Sequence, residues 1–241
     1  MIRKLLIPLI ALLLAGCGGD EQPATLASEP PGHPPETGAY PGDAYPGESS
    51  APPVPAVTGR TVELTGWEVT VYYTAVESLH TDKSTEVTGC PTIDCGRNRN
   101  QQRLGAFPAS FVKAVKDEGT GRTSDGRYLN WSYDTGYWMD TAPRDTAGRP
   151  LRPWISAAAD AGALKAGSRF TVQRCGTAEV TAEVCAKLKA PTWTIVDEFT
   201  PGLGGDKHVD VYIGEETGPG FTDSDLYTTL ENATLSAIKA Q

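Results

Sequence analysis

From residue 58 onward the chain runs in short stretches where apolar and polar positions alternate. Residues 61–65 and 68–74 alternate around Gly66-Trp67 and are rich in Val, Tyr and Thr, the signature of half-buried strands. Ser124-Asp125-Gly126 is a turn signal, and residues 127–133 read as the strand returning from it. Residues 155–159, 168–173, 192–197 and 209–213 predict further strands. Residues 82–104 are polar and predict a loop, and residues 140–153, rich in Pro, Arg and Asp, predict another. Residues 111–116 fit a strand or a short helix, and residues 233–238 a helix or the last strand. Thr222-Asp223-Ser224-Asp225 has the residues to cap a helical turn. Many short strands between turn signals predict a mainly β domain over residues 58–241, a barrel or a sandwich. Periodicity alone does not choose between the two.

The first 57 residues follow other rules. Arg3 and Lys4 precede an apolar run from Leu5 to Leu14, interrupted by Pro8. A run this short fits a signal peptide and falls below the roughly 20 apolar residues of a spanning helix. Leu14-Ala15-Gly16-Cys17 resembles the lipobox of bacterial lipoproteins, which implies a signal peptide over residues 1–16, cleavage before Cys17, and acylation there with palmitate-like chains. The expected location is extracytoplasmic, with the lipid anchor as the only attachment to the bacterial cell membrane. Residues 17–57 then read as a disordered tether. Ten of the nineteen prolines fall in residues 18–57, among Gly, Ser, Ala and Glu, a composition that cannot bury enough apolar surface to offset its ordering entropy. The repeat Ala39-Tyr40-Pro41-Gly42, Ala44-Tyr45-Pro46-Gly47 is read as spacer.

Cleavage would remove Arg3 and Lys4 and take the net charge from −9 to −11, which argues against nucleic acid as a partner. Acylation uses one of five cysteines. Cys90, Cys95, Cys175 and Cys185 remain, an even set in a compartment where disulfides persist. Of the three possible pairings, the local one is expected, Cys90–Cys95 and Cys175–Cys185, because each closes a short loop. A metal site is not expected, since the usual Cys-x-x-Cys spacing is missing and histidines are few. The sequence holds no nucleotide loop, zinc signature or calcium loop, and no cofactor is expected.

Three stretches carry a resemblance to the 3D domain of MltA-type lytic transglycosylases. The first is Ala159-Asp160-Ala161-Gly162-Ala163-Leu164-Lys165-Ala166-Gly167-Ser168-Arg169-Phe170-Thr171-Val172. The second is Trp193-Thr194-Ile195-Val196-Asp197. The third is Gly205-Asp206-Lys207-His208-Val209-Asp210-Val211-Tyr212-Ile213-Gly214, which is equally similar to the His-Phe-Asp segment of expansins and related endoglucanases. The resemblance implies a six-stranded double-psi β-barrel with long, disulfide-stapled loops, acting on peptidoglycan or a related cell-wall polysaccharide. The chain departs from the pattern at Glu198-Phe199, where Thr-Gly follows the second aspartate of the family, and at Ala161, where proline is usual.

Glycosidic cleavage needs a proton delivered to the leaving oxygen, and a carboxylic acid kept neutral near working pH can deliver it. A lytic transglycosylase needs no activated water, because the muramoyl 6-hydroxyl attacks its own anomeric carbon. Asp210 is the expected acid and base, set between Val209 and Val211 so that its side chain points away from theirs. Asp197 is its expected partner, and Asp160 the third aspartate, supporting the loop. Glu77 is the candidate second carboxylate that would permit hydrolysis. Trp131, Trp138 and His208 are expected to line a sugar-binding cleft. The competing reading is a non-catalytic, expansin-like wall-binding module that shares the cleft and lacks turnover.

Overall fold

The computed structural model describes residues 61–95 and 100–238. The expected signal peptide, Cys17 and the tether lie outside the described residues. Strands β1 (Thr61–Val76), β2 (Ser84–Gly89) and β3 (Gln102–Pro108) lead into helix α1 (Ala109–Glu118). Then follow β4 (Thr120–Arg122), β5 (Tyr128–Ser132), β6 (Gly136–Asp140), β7 (Ser156–Ala158) and β8 (Arg169–Arg174). Helix α2 (Ala182–Lys189), β9 (Trp193–Asp197), β10 (His208–Glu215) and β11 (Leu230–Ile238) complete the order.

Six of these strands close a barrel. β1 pairs in parallel with β10, β10 antiparallel with β7, and β7 in parallel with β9. β9 then pairs with β8, β8 with β11, and β11 returns to β1, all antiparallel. Closure removes free sheet edges and gives every strand an inner face. Val69, Val71, Phe170, Val172, Trp193, Ile195, Val209, Val211 and Leu235 form that buried interior. The six-stranded barrel expected from the sequence is therefore present.

β1 is longer than the barrel requires. It continues through Gly66, whose φ of 73° suits only glycine well, and makes one strand of the two runs expected there. Its last residues, Ala75 and Val76, leave the ring and pair in parallel with β4, which continues into β5 and β6. α1 packs on this extension. A Cβ on Gly121 would lie 2.4 Å from Val115 and 2.7 Å from Phe111, so helix and strand meet at a distance that only glycine allows.

The two regions left open by the sequence resolve to a helix, α1, and a last strand, β11. The predicted loop over 82–104 is in part a hairpin of β2 and β3. Its alternation is hard to read because, of β2, only Val87 and Gly89 are buried. α2 was also not expected. Thr181 caps it, accepting from the Val184 N–H at 3.3 Å. Both local disulfides are present, Cys90–Cys95 and Cys175–Cys185, the second tying β8 to α2.

Candidate active site

A cleft of about 330 Å³ opens on the outer face of the barrel wall, between that wall and the end of α1. Its floor is one row of residues across four neighbouring strands. Thr70 on β1 is in register with Asp210 on β10, Asp210 with Ala158 on β7, and Ala158 with Asp197 on β9. All four line the cleft. Asp210 reaches it because Val209 and Val211 take the core side of β10. Asp197 reaches it by a β-bulge. The register steps from Ala157–Ile195 to Ala158–Asp197, which leaves Val196 as the extra residue. Ile195 stays in the core, Val196 packs on the outer cluster of Tyr72, Leu151 and Tyr212, and Asp197 lines the cleft.

The two aspartates are held differently. Asp197 Oδ1 accepts three hydrogen bonds, from the Thr146 N–H, the Thr146 hydroxyl and the Glu198 N–H, each at 2.9 Å. Burial pushes this carboxyl up to about 6, and the three donors limit the rise. Asp210 keeps part of its surface on the cleft, but its Oδ1 is buried and has no hydrogen-bond partner. Burial pushes Asp210 up to about 7, the nearby charge of Asp197 adds to the rise, and the Thr70 hydroxyl opposes it. An unpartnered buried oxygen is costly on a carboxylate and far less so on a neutral acid.

Three further carboxyls line the cleft, the exposed Asp117 and Glu198 and the partly buried Glu118, which enters from outside the barrel. Glu118, the last residue of α1, lines the same cleft. Its Oε1 accepts from the Tyr227 hydroxyl at 2.9 Å and its Oε2 from the Tyr73 N–H at 3.3 Å. Burial pushes it up to about 8, and the charge of Asp210 adds to the rise. The sequence does contain a signal for it. Asp117-Glu118 places two acids in the last turn of a helix closed by Gly119 in the left-handed region, against the preference of the helix dipole for cations there.

Trp131, Phe199 and Tyr227 add aromatic surface to the cleft, and His208 lies among them. The His208 ring is 4.5 Å from that of Phe199, and its Nε2 is 2.8 Å from the Thr70 hydroxyl. Three expected residues stand elsewhere. Trp138 is fully buried and offers no face to a ligand, since both faces of β6 are covered at Trp138 and Met139. Glu77 lies outside the cleft lining, and its carboxylate accepts from the Ser124 N–H at 2.7 Å. Asp160 also lies outside the lining, and a Cβ on Gly204 would meet its carboxylate at 2.3 Å, so it packs under the loop that leads into β10. His80, away from the cleft, bridges Glu216 and Ser110, each at 2.9 Å. Among the described residues no group of His, Cys, Asp and Glu has the arrangement to hold a metal ion.

No protein-family model matches the chain, and no curated protein matches it. Several solved structures are similar to it. One is Escherichia coli MltA with bound chitohexaose, at 11% identity and a TM-score of 0.47, over 74% of this chain and 72% of that one. A second is the membrane-bound lytic murein transglycosylase of Agrobacterium tumefaciens, at 12% identity and a TM-score of 0.47, over 74% of this chain and 76% of that one. A third is MltA of Neisseria gonorrhoeae, at 11% identity and a TM-score of 0.44, over 74% and 76%.

Proposed function

We propose that the protein is a cell-envelope lipoprotein that cleaves peptidoglycan glycan strands in the manner of a lytic transglycosylase, with Asp210 as acid and base. One observation carries the reading. Asp210 presents a carboxyl with a buried, unpartnered oxygen to an open cleft, and burial brings its titration to about 7. Such a group is neutral in a large fraction of molecules near neutral pH and ionises readily once its proton is given up. It protonates the leaving oxygen as the glycosidic bond breaks. The resulting carboxylate then takes the proton of the muramoyl 6-hydroxyl as that oxygen bonds to the anomeric carbon, closing a 1,6-anhydro ring. Asp197, fixed by three donors, titrates lower and is the anion beside the cationic anomeric centre. Trp131 and Phe199 supply apolar ring faces for sugars.

The leader supports the cellular setting. The lipobox-like Leu14-Ala15-Gly16-Cys17 would hold the protein on the membrane through acyl chains at Cys17, and residues 17–57 would carry the domain of residues 58–241 out to the polymer.

The test is mass spectrometry of muropeptides after incubating purified glycan strands with the detergent-solubilised full-length chain and with its Asp210→Asn variant. Anhydro products that disappear in the variant are expected. Wall binding without any released product would replace this reading with the non-catalytic, expansin-like module, which the Glu198-Phe199 departure after Asp197 favours.

A further inference from the structure

Three carboxyls of the cleft have no task in the reaction above, and of these Asp117 and Glu198 are exposed while Glu118 is partly buried. It comes from α1, outside the barrel ring that carries Asp210 and Asp197. Its placement is fixed rather than incidental. On the edge of β1 away from β10, pairing with β11 ends at Val69 and pairing with β4 begins at Ala75, and in the gap between them Glu118 Oε2 accepts the Tyr73 N–H. Oε1 is held by Tyr227, whose ring packs edge-on against Tyr73 at 5.6 Å. Swinging this side chain away would leave the Tyr73 N–H without its acceptor. Of the cations that line the cleft, Arg144 is paired with Asp140, and Lys116 lies exposed in the last turn of α1.

We propose that Glu118 is a second catalytic carboxyl, giving its proton to the leaving glycosidic oxygen while Asp210 takes the proton of the attacking hydroxyl. This rests on the reading of the cleft as a glycan-cleaving site and divides between two groups the work assigned there to Asp210 alone. The bond from the anomeric carbon to the leaving oxygen breaks with its electron pair on oxygen, which receives the Glu118 proton. The attacking hydroxyl oxygen bonds to the anomeric carbon, and its proton passes to the Asp210 carboxylate. Glu118 ends one proton poorer and Asp210 one richer, and exchange with water restores both. The order of acidities agrees, since burial raises Glu118 further, to about 8, than Asp210, to about 7.

The test compares two substrates on the full-length chain. One is the natural glycan strand, whose leaving alcohol needs a proton. The other is a 4-nitrophenyl glycoside of the same sugar, whose leaving phenolate does not. Glu118→Gln is expected to slow strand cleavage about 100-fold with KM unchanged, yet to cleave the nitrophenyl glycoside within about threefold of the wild type. Asp210→Asn is expected to be slow on both. A folded Glu118→Gln that cleaves strands at the wild-type rate, or is slowed equally on both substrates, overturns this assignment and leaves the glycan-cleaving reading standing. Should Glu118→Gln fail to fold, Glu118→Asp carries the same comparison. A wild-type chain that releases nothing from either substrate overturns both proposals.

Discussion

Asp210 and Asp197 stand in one row of the barrel wall with only Ala158 between them. Two strand spacings separate their backbones by about 10 Å. Ala158 is the one member of the row with no reach beyond Cβ, so the space above it belongs to the cleft. Ala158→Leu would fill that space from the floor. We expect at least a tenfold loss of binding to a chito-oligosaccharide, measured by calorimetry, with the fold retained by circular dichroism.

Stability should fall as pH rises. Asp197, Asp210 and Glu118 all titrate above ordinary carboxylates in the folded state, at about 6, 7 and 8. Between pH 4 and 8 the folded chain therefore binds more protons than the unfolded chain, and each added pH unit favours unfolding. Their contribution is complete below about pH 4 and is lost as pH climbs through these values. Thermal melts should show Tm declining from pH 5 to pH 8. Asp210→Asn, which cannot ionise, should flatten the decline and stabilise the protein by about 1–2 kcal/mol at pH 8. A variant whose Tm falls with pH as steeply as that of the wild type would contradict the burial of that carboxyl.

Gly121→Ala should be destabilising by about 1–3 kcal/mol, because its methyl would sit 2.4 Å from Val115 and 2.7 Å from Phe111 in a filled interface. Since α1 carries Glu118, the same change should lower cleavage along with Tm. Chemical denaturation with activity measured in parallel checks both.

Cys17→Ser should move the protein from the membrane fraction to the soluble periplasmic or extracellular fraction, with no loss of Tm, because the proposed acylation site lies outside the described residues. Fractionation followed by immunoblotting reads this directly.

The sequence made the barrel legible where one face of a strand is buried. Val209-Asp210-Val211 spelled out both the core side and the cleft side of β10, and the structure keeps that division. Cys90–Cys95 and Cys175–Cys185 were legible from spacing. The β2–β3 hairpin was not, because its strands bury so few residues that alternation carries no signal. Glu118 was missed for a different reason. The Asp117-Glu118 signal counts only once residues 109–118 are known to be a helix, and the contacts that place Glu118, with Tyr73 and Tyr227, lie 45 and 109 residues away. Trp138 shows the opposite error, since an aromatic dense with neighbours in sequence turned out to be core. Asp197 lines the cleft through a bulge that was invisible, since an extra residue in a strand leaves no mark on composition.

Strand β1 is the common beam of the cleft. Thr70 lies beside Asp210, and three residues further along, Tyr73 holds Glu118. Three residues of extended chain span about 10 Å and have almost no freedom to stretch. The gap between the two jaws is thus gauged like a fixed calliper and not like a hinge. A ligand that is too wide cannot widen it by stretching β1.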